Sequence, residues 1–253
     1  MKQTFKDLFS DDSPHYAEYR PHYPAALFSY LASISKHHFV AWDCATGSGQ
    51  SAVKLVDYFD QVIATDASQS QLDNAAIKQR ITYRKATAEN SGIETNTVDL
   101  ITVSQALHWF NLELFSQEVN RVLKDEGLLA VWTYNLLSIR ENIDAAINHL
   151  YHTILANCWS AERKIVETGY CDIEFPFDEK ITPEFHMTSE WNLIQLTGYL
   201  NTWSAVKSYQ KKYQSNPVEL IYPQLLDAWG DPLNSLTVSW PLSFRLWKKL
   251  TAT

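Results

Sequence analysis

The chain has 253 residues, a formal net charge of −8 and an apolar fraction of 45%. These values suit one large α/β domain, or a smaller domain with a grafted subdomain, and argue against disorder. The acidic balance argues against a nucleic-acid backbone as the main partner. No apolar run approaches the roughly 20 residues of a membrane helix, and residues 1–7 contain no apolar stretch of the signal-peptide type. We therefore expect a cytoplasmic protein.

The cysteines and histidines do not predict a metal site. Cys44, Cys158 and Cys171 lack the paired spacing of metal ligands and cannot all pair with one another, so we interpret them as reduced structural thiols. His149 and His152 lie three positions apart on a predicted helix, but two ligands alone rarely bind a metal.

Helix and strand patterns alternate through the first half of the chain. Pro21 and Pro24 precede a helix predicted at 25–34, and the apolar run at 39–42 predicts a buried strand. Further strands are predicted at 62–65, 81–84, 98–103 and 128–132, with helices at 50–59, at 112–123 and from the N-cap Ser68 through Ile77. This alternation is typical of βαβ units, a parallel sheet and right-handed crossovers.

The pattern changes after about Tyr134. Helices are predicted at 140–159, 189–213 and 217–229, and β-like stretches at 181–187 and 236–247. Seven of the nine tryptophans fall from Trp132 onward. Aromatic side chains often line pockets, but an ordinary aromatic core is the simpler interpretation of any one of them.

A glycine loop follows the first predicted strand. Gly47 and Gly49 lie between that strand and a helix, where glycine permits positive φ and close approach of a ligand to the backbone. The helix N-terminus offers free N–H groups. Asp66 ends the next strand, where a carboxylate can accept both hydroxyls of a ribose. The pattern therefore predicts a nucleotide-type cofactor site.

A nicotinamide-dependent dehydrogenase is one interpretation of this loop, because residues 47–52 satisfy the pattern G-x-G-x-x-A. Three features disfavour it. Asp43 before the loop would repel a pyrophosphate but attract an ammonium group. The chain has no Tyr-x-x-x-Lys pair, and no second mononucleotide-binding half follows Trp132.

The loop also carries a family resemblance. Asp43-Cys-Ala-Thr-Gly47-Ser-Gly49 resembles the first motif of class I S-adenosylmethionine-dependent methyltransferases, [DE]-x-G-x-G-x-G, with Ala45 at the first glycine, a change that we expect to crowd the loop only slightly. Residues 65–72, 86–89 and 98–110 resemble the second, third and fourth motifs, and 121–127 resemble the helix and turn before strand five. Residues 19–24 and 199–206 are similar to trans-aconitate-methyltransferase-like small-molecule enzymes, so the resemblance spans about residues 9–248.

The resemblance implies a Rossmann-like, seven-stranded, mostly parallel sheet with helices on both faces. It implies a cofactor-binding core with an N-terminal helical segment in residues 1–134, and a helical substrate cap with the last two strands in residues 135–253. The implied activity is methyl transfer from S-adenosyl-L-methionine to a small molecule, by analogy a carboxylic acid. A cofactor-binding regulator without catalysis is another alternative. The chain lacks the [DNS]-P-P-[YF] signature after strand four that nucleobase methyltransferases carry. We expect a monomer or homodimer with no nucleic-acid or membrane partner.

The resemblance also implies a set of cofactor contacts. Asp66 would bind the ribose, Ala88 and Glu89 the adenine edge, and residues 43–49 the methionine end. Arg20 or Tyr16 could pair with the methionine carboxylate, although a salt bridge at the start of the helix explains Arg20 equally well. The predicted cofactor-binding residues are Tyr16, Arg20, Asp43, Ala45, Thr46, Gly47, Gly49, Asp66, Ala67, Ala88, Glu89 and Gln105.

His108 is the predicted catalytic residue, as a base or a donor to the substrate, because ligands bind beyond the carboxyl ends of parallel strands. A packed structural histidine fits the same position. The predicted substrate-binding residues are Trp109, Tyr199, Trp203 and Lys207; the last three share a helical face by their i, i+4, i+8 spacing. Core packing of Trp109, and a solvated Lys207 over a packed core, fit the sequence as well.

Overall fold

The computed structural model describes residues 21–251. The first half of this part forms α1 (Ala25–Ile34), β1 (Val40–Cys44), α2 (Ala52–Leu55), β2 (Gln61–Asp66), α3 (Gln69–Asp73), β3 (Ile81–Lys85), β4 (Val98–Ser104), a 3₁₀ turn (Leu107–Trp109), α4 (Leu112–Val122) and β5 (Leu123–Tyr134). The second half forms α5 (Glu141–His149), a π-helical turn (Leu150–Ile154), α6 (Arg163–Glu167), β6 (Asp178–Lys180), β7 (Phe185–Trp191), α7 (Leu193–Asn201), α8 (Ser204–Tyr213), α9 (Pro217–Trp229) and β8 (Leu236–Lys248).

Within the described residues, eight strands form one sheet in the order β3-β2-β1-β4-β5-β8-β6, with β7 also paired to β8. Strands β1 to β5 are parallel, and β8 runs antiparallel to β5, β6 and β7. Because the carboxyl ends of β1, β2 and β4 meet at one edge, the loops that follow them are neighbours.

Apolar cores lie on both faces of the sheet. In β5, Leu128, Ala130 and Trp132 belong to one core, whereas Leu129 and Val131 belong to the other, as the alternation of a strand requires. Helices α1, α2, α5, α7, α8 and α9 pack against the first core, and α4 and α6 pack against the second. The predicted fold class, a mostly parallel sheet with helices on both faces, is confirmed.

Over residues 21–251 the sheet has eight strands rather than the predicted seven because two short strands, β6 and β7, pair with different parts of β8. Strand β6 pairs with residues 246–248 of β8, and β7 pairs with residues 236–242. Pro183 lies between the two short strands, and proline cannot donate a ladder hydrogen bond. The stretch predicted at 181–187 is therefore interrupted, and residues 189–191 are strand rather than the predicted helix.

Three helices are shorter than their periodicity predicts. The segment at 50–59 is α-helical only over α2, and the helix after Ser68 ends at Asp73, although the Ser68 hydroxyl accepts the predicted capping bond from Gln71 N–H. The segment at 140–159 changes into the π-helical turn after His149, where Leu155 N–H donates to the Leu150 carbonyl at 2.9 Å. The predictions at 25–34, 112–123 and 217–229 agree with α1, α4 and α9 to within a residue.

The start of the central strand is held by one buried carboxylate. Asp99 in β4 is 5% exposed, and its Oδ2 accepts the N–H groups of Phe39 and Val40 at 2.9 and 2.8 Å. Its Oδ1 accepts a hydrogen bond from Lys124 Nζ at 2.7 Å. Asp99 therefore joins the beginnings of β1, β4 and β5. This connection helps to fix the register of the three strands, whose opposite ends carry the site.

We expect Asp99→Ala to lower the free energy of unfolding by about 3 kcal/mol, because hydrogen bonds to a charged group contribute roughly 1.5–3 kcal/mol each. Urea denaturation monitored by tryptophan fluorescence measures this change. Asp125→Ala, at an exposed position on the same sheet, is the matched control and should change stability by less than about 0.5 kcal/mol. Equal effects of the two substitutions would contradict the anchoring role.

Candidate active site

The loop between β1 and α2 turns through three residues with positive φ: Ala45 (54°), Gly47 (57°) and Gly49 (85°). A Cβ atom on Gly49 would lie 2.4 Å from the Tyr83 hydroxyl oxygen, so Tyr83 packs directly against this glycine. A Cβ on Gly47 would meet only Gln71 Oε1, at 3.8 Å. Ala45 stands where the motif has glycine, and the left-handed conformation costs a non-glycine residue roughly 1–2 kcal/mol. The alanine thus strains the backbone rather than crowding the loop.

Asp43 lies beneath this loop with 0% exposure. Its Oδ1 accepts a hydrogen bond from the Thr102 hydroxyl at 2.8 Å, and its Oδ2 accepts one from Thr46, whose own side chain is buried. Burial raises the pKa of Asp43 to about 6, although the bonds from Thr46, Thr102 and the Ala52 backbone oppose this rise. The side chain supports the loop from inside, and its predicted contact with the cofactor stays a prediction.

Asp66 joins the loops that follow β1 and β2. Its Oδ2 accepts the Gly47 N–H and its Oδ1 accepts the Ser68 N–H, both at 2.8 Å. An ionised carboxylate offers about four acceptor sites, so positioning of the loop and recognition of a ribose are compatible roles. Ala67, partly buried, follows it in the same turn.

Three carboxylates give this edge of the sheet a negative potential. The pKa of Cys44, at the end of β1, is raised first by burial and then by the charges of Asp43, Glu89 and Asp66. Glu89 follows the buried Ala88 and accepts the Asn111 N–H at 2.9 Å, at the start of α4. Such an edge attracts a cationic ligand and repels a pyrophosphate.

His108 lies in the 3₁₀ turn after β4. Its Nδ1 is 2.8 Å from the hydroxyl of Tyr170, which is fully buried, and its ring centroid is 4.8 Å from that of the half-buried Trp109. Burial lowers the pKa of His108 to about 4; the positive charge of Arg163 lowers it further, and Glu162 acts in the opposite direction. The imidazole is therefore neutral at pH 7.

A polar network behind His108 includes two strained residues. Gln105 (φ 53°) and Tyr170 (φ 65°) adopt the left-handed conformation. The Thr133 hydroxyl donates to Gln105 Oε1 and also lies beside the Tyr170 hydroxyl, and Gln105 Nε2 donates to the Tyr134 carbonyl at 3.3 Å. Strain of this kind is concentrated at functional sites. Gln105 thus connects the end of β4 to β5 and to the partner of His108.

Arg163 packs among three aromatic side chains, those of Tyr151, Trp159 and Trp203, and we call these four residues the Arg163 cluster. The guanidinium carbon lies 5.1 Å from the Trp159 ring centroid and 5.5 Å from that of Tyr151. The Trp203 ring is 5.7 Å from Trp159 and 5.8 Å from Tyr151. The sequence did not identify Arg163, Tyr151 or Tyr170 as site residues. The one available signal was that Trp159 and Arg163 are four positions apart, but both follow the end of the helical segment at Ile154, so a helical spacing does not apply to them.

The predicted common face of Tyr199, Trp203 and Lys207 is wrong, because the helix ends between them. Thr202 terminates α7, and Trp203 has the extended backbone of an N-cap before α8. Tyr199 packs with Trp191 and Trp240, and its ring centroid is also 6.0 Å from that of Trp203 in the Arg163 cluster. Lys207 is half-buried in α8. Tyr16 and Arg20, both predicted to bind the cofactor, lie outside the described residues.

Residues 21–251 contain no group of three or more His, Cys, Asp or Glu side chains that could hold a metal ion. Cys44, Cys158 and Cys171 are free thiols. In the same part of the chain, every helix is too short or too polar to span a bilayer.

The strand order, the antiparallel β8 and the glycine loop after β1 define a Rossmann-like, cofactor-binding α/β protein. The family described as "Methyltransferase domain" matches residues 42–131. A Dictyostelium discoideum protein named "Putative methyltransferase" is 34% identical, over 97% of this chain and 96% of its own. A Saccharomyces cerevisiae protein named "Probable S-adenosylmethionine-dependent methyltransferase" is 30% identical, over 81% of this chain and 83% of its own.

A solved structure agrees. The "Putative Type II Methyltransferase" of Anaeromyxobacter dehalogenans superposes with a TM-score of 0.88 at 37% identity, over 92% of this chain and 99% of its own. The chain therefore belongs to the class I S-adenosylmethionine-dependent methyltransferases, in the type 11 family, and is an enzyme of that kind. The dehydrogenase and the non-catalytic regulator are not favoured.

The raised pKa of Asp43 gives a pH dependence of stability with a defined sign. Since this pKa rises from its ordinary value of 3.8 to about 6 on folding, the folded state holds the proton more tightly. The associated stabilisation is present below about pH 4, is lost as the pH rises through 6, and amounts to about 3 kcal/mol. We expect the unfolding free energy of the wild type minus that of Asp43→Asn to fall by about 2.5 kcal/mol, most of this amount, between pH 4 and pH 7.

Urea denaturation of both proteins at each pH measures this difference, in which the titration of groups that do not interact with Asp43 cancels. Asp227→Asn, the same substitution at an exposed position of α9, is the matched control. A flat difference for Asp43→Asn would show that its carboxyl titrates alike in the folded and unfolded chains.

Proposed function

We propose that this enzyme transfers a methyl group from S-adenosyl-L-methionine to a small-molecule acceptor, a carboxylic acid. The observation that carries the donor side is the negative edge formed by Asp43, Asp66 and Glu89 around Cys44. S-adenosylmethionine has a cationic sulfonium and an ammonium group and lacks phosphate, so its charge is complementary to this edge.

The residues of the loop suit this donor. Gly47 has space where a Cβ would stand, and its N–H is already engaged by Asp66, which brings the carboxylate next to the open backbone. We propose that Asp66 binds the ribose hydroxyls, that Ala67, Ala88 and Glu89 border the adenine, and that Ala45, Thr46, Gly47 and Gly49 form the turn around the methionine end. Asp43 would support donor binding indirectly, by holding the loop in place. Gln105 would do so by positioning the turn that carries His108.

S-adenosylmethionine, when bound, supplies a methyl carbon that is already electrophilic. The protein is therefore left with positioning the acceptor and excluding water. Trp109 beside His108, and the Arg163 cluster on the segments that follow β5, give the acceptor side an aromatic lining. We propose that residues 135–253 contribute this acceptor-binding cap and complete the sheet, and that residues 1–134 bind the donor.

The state of His108 supports an acceptor that needs no deprotonation. General-base catalysis is most effective when the pKa of the base lies near the working pH, and that of His108 is about 4. A carboxylic acid is already ionised at pH 7. With Nδ1 engaged by Tyr170, the neutral ring would use Nε2 to orient the acceptor rather than to remove a proton.

Isothermal titration with S-adenosylhomocysteine tests the donor site. We expect micromolar binding to the wild type and a loss of about 10- to 100-fold for Asp66→Asn, since hydrogen bonds to a charged group are worth roughly 1.5–3 kcal/mol. Asp73→Asn, the same change on the exposed side of α3, is the matched control and should bind as the wild type does. Binding of a nicotinamide dinucleotide in place of S-adenosylhomocysteine would overturn the proposal.

A screen with tritiated S-adenosylmethionine and paired carboxylic acids, phenols and amines tests the acceptor. We expect methyl esters only, with kcat/KM level from pH 7 to pH 8, because the pKa values of His108 (about 4) and Asp43 (about 6) both lie below that range. His108→Gln should lower kcat by roughly tenfold without a new inflection, less than the 10²- to 10⁴-fold typical of a lost general base. His186→Gln, at an exposed position of β7, is the control. Methylated phenols or amines alone would refute the carboxylate and leave the methyltransferase intact.

A further inference from the structure

Arg163 is a charged side chain that the methyl-transfer step does not use. It is half-buried at the start of α6, in the Arg163 cluster. Helix α6 packs against the 3₁₀ turn that carries His108. Burial lowers the pKa of His108 and the positive charge of Arg163 lowers it further, whereas burial raises the pKa of Tyr170 and Arg163 opposes that rise. Arg163 therefore lies near the 3₁₀ turn that carries His108.

The hydrogen bonds of Arg163 fix its position at the end of β5. Its Nε donates to the Tyr151 hydroxyl at 2.7 Å, and its Nη2 lies 3.5 Å from Oδ1 of Asn135, the residue that follows β5. Asn135 in turn donates to the carbonyl groups of Val166 and Glu167 at 3.1 Å, so the end of α6 is tied to the same place. Arg163 and His108 thus stand beyond the carboxyl ends of adjacent strands.

Within residues 21–251, no carboxylate lies at ion-pair distance from Arg163. Among the described residues, the arginines with a carboxylate at ion-pair distance are Arg121 and Arg245. Arg163 reaches Glu167 only through Tyr151, whose hydroxyl accepts from Arg163 and donates to Glu167 Oε1 at 2.7 Å. A guanidinium has five N–H donors, and the two described bonds leave three for another partner. A half-buried cation of this kind is costly unless an anion joins it.

We propose that Arg163 is a specificity-determining residue that binds an anionic group of the methyl acceptor, with the half-buried ring of Trp159 packing against the acceptor's apolar part. The assignment rests on the proposed function and narrows its substrate class to amphipathic anions. A guanidinium presents a planar fork that matches a carboxylate in a bidentate pair, and Tyr151 and Asn135 hold that fork in one orientation.

Binding of paired probes tests this assignment without requiring turnover. Hexanoate and hexanamide, and 3-phenylpropionate and 3-phenylpropanamide, have the same skeletons and differ in charge. Quenching of tryptophan fluorescence reports their binding, because Trp159 lies 5.1 Å from the guanidinium carbon. The matched variants are Arg163→Gln and, as control, Arg140→Gln, which removes an exposed arginine before α5. Titrations are run with and without S-adenosylhomocysteine, whose own affinity is measured separately.

We expect the wild type and Arg140→Gln to bind at least one acid about tenfold more tightly than its amide, and Arg163→Gln to bind both alike, as loss of a charge-assisted pair requires. If Arg163→Gln does not fold, as judged by circular dichroism, Arg163→Lys keeps the charge without the fork and should show a reduced preference. Acids and amides bound alike by the wild type, or a preference retained in Arg163→Gln, would overturn the assignment. Failure of S-adenosylhomocysteine to bind would instead refute the proposed function.

Discussion

A carboxylate buried beneath a backbone turn is the constraint on which the site depends. Asp43 lies near the end of β1, and its side chain points into the protein. There it accepts hydrogen bonds from Thr102 of β4, Thr46 of the loop and the Ala52 amide of α2. One group thereby fixes the loop to the neighbouring strand and to the following helix. Burial makes ionisation of the Asp43 carboxyl group more costly, and the hydrogen bonds that it accepts offset part of that cost. Asp66 provides the second attachment, from the outer side.

The parallel half of the fold could be predicted because its signals are local. Apolar runs followed by Gly47 or by Asp66 mark where strands end, and a capping residue such as Ser68 marks where a helix begins. The ends of helices in the second half could not be read in this way. The change at His149 into a π-helical turn and the break at Thr202 depend on tertiary packing, which a helical period extending across both points does not reveal.

The residues of the candidate site also fall into two groups, those that the sequence predicted and those that it did not. Gly47, Asp66 and His108 follow strands β1, β2 and β4, whose carboxyl ends must converge in a parallel sheet, so sequence order alone brought them together. Arg163 and Tyr170 come from a segment without a motif, and they reach His108 only because α6 folds back over the 3₁₀ turn. Contacts of this kind need the long-range topology, and a left-handed tyrosine such as Tyr170 has no signature in the sequence.

The placement of β8 has a consequence for the order in which the molecule assembles. This strand pairs with β5 on one side and with β6 and β7 on the other, and it follows all three in the chain. During synthesis on the ribosome, β6 and β7 therefore have no ladder to join until β8 emerges. The parallel half can collapse earlier, while the segments bearing Tyr151, Arg163 and Trp203 wait with their aromatic faces uncovered. Such late, non-local closure slows folding and exposes the nascent chain to aggregation and to capture by chaperones.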